Sequence, residues 1–241
     1  MSPTLNKKWL ASVLTVLPEM FPGPLGISLS GKALAEEKWS LQTIDIRKFS
    51  TTRYGSVDDT PAGGGPGMVM RADILGSAID SVERDGRPMI LLSPRGVPLT
   101  QARSRALAQG PGVVLLCGRY EGIDERVIEA RGLQEISLGD FVLSGGEIAA
   151  MALIDACVRL LPGVVGDDAS LDEESFEDGL LEYPHYTRPP VWEGREIPSV
   201  LMSGHHQRIR DWRRERSIEL TKARRPDMWD AYLKRAPKTK H

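Results

Sequence analysis

Apolar residues along the chain follow two different periods. Residues 11–17 (ASVLTVL), 88–93 (PMILLS) and 112–117 (GVVLLC) are short, nearly continuous apolar runs. That is the pattern of strands covered on both faces. Residues 40–46 (SLQTIDI) alternate with period two and predict another strand, and 135–137 predicts a short one. Between these runs, apolar positions three and four apart predict helices over 25–38, 72–84, 99–109 and 121–131. Strand and helix alternate, which gives an α/β domain with a mainly parallel sheet.

Residues 147–161 (EIAAMALIDACVRLL) are apolar nearly all round, with charge only at Glu147, Asp155 and Arg159. Such a helix is buried in a core or against another subunit. Asp155 and Arg159 share one face, so an ion pair between them is one reading of Arg159. Pro162-Gly163 stops the helix.

Periodicity fails over 47–71, which holds Asp58-Asp59 and GGGPG at 63–67. A loop this long inside a domain is usually functional or disordered. Residues 167–182 carry eight acids and no Lys or Arg, a composition that will not form a core alone. HYTRPP at 185–190 leads into 191–202, which reads as extended. Ser203 is the expected N-cap of a helix over 205–225, and Pro226 ends that helix. The pattern divides the chain into an α/β domain (1–165), a flexible acidic linker (166–175) and a small, mostly helical domain (176–241).

Composition narrows the picture. In 241 residues, 41% are hydrophobic and 27% charged, an ordinary soluble balance. No apolar run reaches membrane-span length, and MSPTLNKKW lacks the apolar core of a signal peptide. The two cysteines, Cys117 and Cys157, sit in apolar runs, which suits a reducing cytoplasm and argues against a disulfide framework or zinc site. The net charge of −2 hides an asymmetry: from residue 201 onward 12 Lys/Arg face 5 Asp/Glu, about +7, leaving about −9 elsewhere. A basic block of this kind is a candidate nucleic-acid contact. Within it, Arg208, Arg210, Arg213 and Arg214 surround an amphipathic stripe of Ile209, Trp212, Arg216 and Leu220, and their guanidinium groups match phosphates.

Candidate chemistry concentrates at 117–147 (CGRYEGIDERVIEARGLQEISLGDFVLSGGE). Glycine turns follow predicted strands at Gly118, Gly139 and Gly145-Gly146. Glycine at a strand end lets backbone approach a ligand, since no Cβ intervenes. Ligands in open α/β sheets bind at that edge, and a pocket of main-chain donors and acceptors suits a flat ring such as adenine. There is no GxGxxG after the first strand, no P-loop, no HxxxH or CxxC, and no GxSxG. Nicotinamide, phosphate-cleaving, transition-metal and serine-hydrolase readings lose their main support.

GGGPGM (63–68), LLSPRG (91–96), CGRYEGIDER (117–126), SLGDFVLSGGE (137–147) and GLLEYPHYTRP (179–189) occur in this order. Together they resemble the signature of the bacterial tRNA (guanine-N1)-methyltransferases, knotted enzymes that modify the guanine just 3′ of the anticodon. The resemblance implies a SPOUT-like trefoil knot at the C-terminal end of the first domain, with S-adenosylmethionine bent inside it. Pattern alone gives no knot, a rare exception to ordinary topology. Adenine would meet the backbone of Leu138, Gly139, Phe141 and Leu143. The same resemblance implies that Pro94, Gly96, Gly118, Glu121, Gly122, Asp140, Val142, Gly145 and Gly146 complete the cofactor site.

For catalysis it implies Arg159, stabilising charge on the guanine oxygen, and an acid before a Ser-Phe pair that takes the N1 proton. Here that acid is Glu174, where the family has aspartate; Asp172 and Glu173 compete with it. Asp58, Gly64 and His185 join the basic helix as implied RNA contacts. A homodimer with shared sites, magnesium dependence and the tRNA anticodon stem-loop as partner are implied as well. The rivals are a knotted RNA-binding protein without catalysis and a ribose 2′-O-methyltransferase.

Overall fold

Five parallel strands carry the first part of the chain. They are β1 (Trp9–Thr15), β2 (Trp39–Asp45), β5 (Met89–Pro98), β6 (Gly112–Cys117) and β7 (Gln134–Ser137), in the order β2-β1-β6-β5-β7. The computed structural model describes residues 8–166 and 174–235. It separates into two compact units, Met1–Gly166 and Asp167–His241.

The apolar runs lie where both sheet faces are covered. All six residues of β6 are buried, as expected for a central parallel strand. Alternate side chains feed two cores. Ala11, Val13, Val113, Leu115 and Cys117 face α5 (Gly146–Val158), meeting Leu153, Ile154 and Cys157. Leu14, Val114 and Leu116 face α2 (Ala72–Asp80) and α4 (Glu125–Arg131). The remaining helices of this unit are α1 (Ser28–Ala35) and α3 (Gln101–Ala108).

Two predicted helix starts move, for local reasons. The helix expected over 25–38 begins only at Ser28, because Pro22 and Pro24 tighten the preceding chain into a 3-10 turn over Gly23–Gly26. The helix expected from 121 begins at Glu125, where Asp124 accepts the Arg126 N–H at 3.0 Å as an N-cap. Residues 121–124 are tied instead to Met68 and Met70: Met70 N–H donates to Gly122 O at 3.0 Å and Asp124 N–H to Met70 O at 3.2 Å. The aperiodic 47–71 segment contains a short antiparallel pair, β3 (Asp58–Asp59) and β4 (Val69–Met70), that closes the glycine-rich loop.

Of the two placements expected for α5, the core is the one observed. Its apolar mass is covered mainly by its own sheet: Ala149, Ala150, Leu153, Ile154, Cys157 and Val158 are all buried. Only the stripe Ile148, Ala152 and Asp155 is exposed, continued by half-buried Arg159.

The second unit is built on α6 (His206–Arg224) and α7 (Pro226–Arg235), with a small hairpin, β8 (Val191–Trp192) and β9 (Arg195–Glu196), before them. Thus 191–202 is not one extended run; it turns at Glu193-Gly194 and ends in a 3-10 turn over Ser199–Met202. Ser203 is not the N-cap of α6. That position is His205, and no side chain caps it; the Ser203 hydroxyl donates back to Val200 O and accepts the His205 N–H at 3.2 Å, ahead of the first helical residue. Pro226 both ends α6 and opens α7, a helix that the sequence pattern does not announce. Proline at a first helical position is favourable.

Part of the predicted linker belongs to this unit. Residues 167–173 lie outside the described residues. From Glu174 the chain makes a hydrogen-bonded turn, with Phe176 N–H donating to Leu180 O at 2.9 Å and Glu182 N–H to Ser175 Oγ at 3.0 Å. Leu181 N–H then donates to the buried Thr221 hydroxyl of α6 at 2.8 Å, so this acidic stretch is docked, not free.

Candidate active site

A cavity of about 390 Å³ opens at the C-terminal ends of β5, β6 and β7, a size ordinary for small-molecule sites. Three segments wall it, and each is shaped by backbone packing. β5 leaves its ladder after Leu92 and rejoins at Val97, both residues standing opposite Ile136, so 93–96 bulges outward. Gly96 lies against the Glu135–Ile136 peptide, where a Cβ would collide with backbone. The 138–146 loop is laid on the end of β6. Gly146 N–H donates to Gly118 O at 2.9 Å, and a Cβ on Gly146 would lie 2.8 Å from Cys117 Cα.

Most of the predicted cofactor residues line this space: Pro94, Gly118, Glu121, Gly122, Leu138, Gly139, Phe141, Val142, Leu143, Gly145 and Gly146. Gly96 and Asp140 do not. Gly96 supports the wall from behind, and Asp140 is exposed on the turn that Ser137 fastens by two hydrogen bonds to Gly139. A carboxylate there stays in water, where its charge costs least.

The glycine-rich loop borders the same rim. Glu121 N–H donates to Met68 O at 3.0 Å. Gly67 has φ +86° and a Cβ on it would run into the Glu121 side chain, so both conformation and space require glycine. Gly64 is exposed with open space around it, and Asp58 lies in β3. Burial, and then the Asp58 carboxylate, push the Tyr120 phenol above its ordinary range, which places Asp58 within electrostatic reach of that cavity residue. Arg95, also lining the cavity, is held by Glu125 at 2.9 Å and Glu135 at 3.1 Å.

Sequence reasoning misses one constellation. Glu147, 1% exposed at the first turn of α5, places Oε2 2.9 Å from Arg119 Nη2 and accepts the Thr15 hydroxyl on Oε1 at 2.7 Å. Arg119 Nη1 reaches Ser144 O at 3.3 Å. The available signal was a lone acid inside an apolar run, directly after two glycines.

Arg159 stands at the C-cap of α5, half-buried, its N–H on Asp155 O at 3.1 Å. In the second unit, Glu174 is half-buried and its carbonyl accepts the Glu177 N–H at 3.4 Å. Its competitors Asp172 and Glu173 lie outside the described residues. His185 is exposed, 2.8 Å from Glu182. The four helix arginines divide. Arg208 and Arg210 are exposed, Arg210 bonding Gln207 one turn away. Arg214 bonds the Tyr232 hydroxyl at 2.7 Å, and half-buried Arg213 stacks on Tyr183 at 4.6 Å. Half-buried Trp212 packs edge-on against Tyr186.

Among the described residues there is no group of three or more His, Cys, Asp or Glu able to hold a metal ion. No helix among them is long and apolar enough to cross a membrane.

Comparison with known proteins converges on one family. Residues 10–231 match the family model described as tRNA (Guanine-1)-methyltransferase TrmD. Curated proteins called tRNA (guanine-N(1)-)-methyltransferase from Brucella ovis and Brucella melitensis are each 64% identical over 224 residues, covering 93% of this chain and 92% of theirs. One from Brucella suis is equally similar and is covered over 91% of its length. A match that runs through the cavity loops and the second unit alike shows that the chain belongs to the tRNA (guanine-N1)-methyltransferase family.

Proposed function

We propose that this protein transfers a methyl group from S-adenosylmethionine to N1 of a tRNA guanine, the one 3′-adjacent to the anticodon (position 37). The observation that carries the reading is the cavity built from the backbone of 138–146 and the turns at 94 and 118–122. Its glycines leave room for a flat adenine, and main-chain groups supply the polarity that a ring edge needs. Bound there, the cofactor supplies a methyl group activated by a positive sulfur. The protein's own residues then have three tasks. The 138–146 loop orients the methyl donor. Arg159 offers a guanidinium to the charge that develops on the guanine oxygen. Glu174 takes the N1 proton, a role that typically contributes about 10²–10⁴-fold.

Several features of the family accompany this reading. Membership of the family supports a trefoil knot at this edge of the sheet. Phe141, Val142 and Ile148 are exposed beside the cavity, with Val142 at 83%. An apolar rim of this kind favours a homodimer with shared sites. Arg208 and Arg210 serve as phosphate contacts to the anticodon arm, Asp58, Gly64 and His185 serve as further RNA contacts, and the enzyme works in the cytoplasm.

The test is transfer of a labelled methyl group to a tRNA transcript, followed by nuclease digestion. The expected product is 1-methylguanosine. A 2′-O-methyl nucleoside would make the enzyme a ribose methyltransferase. Binding of RNA and cofactor without any transfer would make it a non-catalytic RNA-binding protein.

A further inference from the structure

Thr15, Glu147 and Arg119 come from three separate elements and meet behind the cavity floor. Thr15 ends β1, Arg119 follows β6, and Glu147 opens α5. Thr15 is fully buried; its hydroxyl accepts the Leu17 N–H at 2.9 Å and donates to Glu147 Oε1 at 2.7 Å. The hydroxyl proton is thereby committed, and the carboxylate is fixed with its second oxygen toward Arg119. A carboxylate at a helix N-terminus is also favoured by the helix dipole.

Arg119 is the outer end of this chain and part of the cavity lining. Its planar fork does two things at once. Nη2 meets Glu147, and Nη1 meets the Ser144 carbonyl at 3.3 Å. The guanidinium also occupies the space that a Cβ on Gly145 would need. Gly145 and Ser144 belong to the loop that walls the cavity. The loop has no regular secondary structure of its own over 138–145, so its position depends on such contacts.

We infer that Arg119 is a positioning residue, braced by Glu147 and Thr15, that holds the 143–146 loop at the spacing the cofactor requires. The inference rests on the reading of this cavity as the S-adenosylmethionine site. It also explains why Gly145 is glycine although its φ of 178° is open to any residue: the constraint is the guanidinium, not the backbone angle.

Lysine separates the brace from a mere ion pair. Arg119→Lys keeps the charge opposite Glu147 but has no fork to reach Ser144 O as well. Calorimetry with S-adenosylmethionine and thermal unfolding would be measured on wild type, Arg119→Lys and Glu147→Gln. The expected result is wild-type affinity weakened about tenfold in Arg119→Lys, the size of one missing charge-assisted hydrogen bond, with the melting temperature close to wild type. Glu147→Gln, which keeps the Thr15 contact but loses the charge that fixes the guanidinium, is expected to show the same direction. The double variant is expected to lose less than the sum of the two, because both act through one loop. Unchanged affinity in Arg119→Lys would overturn the inference while leaving the cofactor site intact. Additive losses would overturn it too, by showing two independent roles. Absence of binding by wild type would instead remove the reading of the cavity on which it rests.

Discussion

The cavity of the first unit and the basic helix of the second are built in opposite ways. The cavity is made of main chain. Gly118, Gly139, Gly145 and Gly146 bring backbone to its surface, and the Arg119–Glu147 pair beside them runs from the lining to a buried carboxylate. The α6 face is made of side chains, and several of those are already in use. Arg213 stacks on Tyr183, Arg214 is bonded to Tyr232, and Arg216 pairs with Glu219 at 2.6 Å. A backbone site is fixed by the fold and fails when the fold shifts. A side-chain site can be edited one charge at a time, provided the charge edited is not one that holds the unit together.

The largest effect should come from the brace. Glu147→Ala removes the carboxylate shared by the half-buried Arg119 guanidinium and the buried Thr15 hydroxyl. Leaving the buried Thr15 donor and one arm of the guanidinium unpaired costs about 1–3 kcal/mol, to be read as reduced stability of the first unit in urea unfolding. A change below about 1 kcal/mol, the range of exposed pairs, would mean that water relaxes the site and that the cavity wall is softer than its packing indicates.

On the α6 face, Arg208 and Arg210 should behave differently from Arg213. Replacing the first two with alanine is expected to leave stability unchanged and to lower the salt slope of tRNA binding by about one unit for each phosphate no longer neutralised. Arg213→Ala is expected to cost the second unit about 1 kcal/mol by removing its stacking on Tyr183, seen as a lower melting temperature before any RNA is added. Equal salt slopes for wild type and the Arg208/Arg210 variant would make those arginines solvated surface only.

What could be read in the sequence divides along the same line. β6 is legible to the residue because a six-residue apolar run bounded by glycine has one comfortable solution, a strand covered on both faces. The cavity loops are legible because glycine marks backbone approach. Arg119 and Glu147 are not, since an ion pair between residues 28 positions apart depends on which strand neighbours which helix. Gly96 shows the limit of the glycine signal: its missing Cβ makes room for the Glu135–Ile136 peptide and not for a ligand. Ser203 is misread as the cap because its oxygen accepts the His205 N–H, one residue ahead of the first helical residue, and α7 is missed because Pro226 reads equally well as a stop or a start.

A smaller effect concerns the thiols, which lie under the cavity wall and in α5. Burial raises Cys117 well above the ordinary thiol range, with the Glu147 carboxylate adding to it, and burial pushes Cys157 up to about 12. A folded-state pKa above the unfolded value of about 8.5 means that this stabilisation is complete below 8.5 and is lost as pH rises toward the folded values. The native protein is expected to resist a thiol reagent at pH 7 and to label at both cysteines only on unfolding, with stability declining above pH 8.5. Rapid labelling of native Cys117 would show that the floor of the cavity opens.

The central claim is that the backbone of the 138–146 loop, and not the basic face, holds the cofactor. Calorimetry with S-adenosylmethionine on Gly139→Val tests it most directly. A Cβ at Gly139 would lie 2.9 Å from the Phe141 ring, so a branched side chain forces that ring to move within the cavity wall. The account predicts loss of measurable binding in Gly139→Val and unchanged binding in the Arg208/Arg210 alanine variant. Wild-type affinity in Gly139→Val would contradict it and take the cofactor out of this loop.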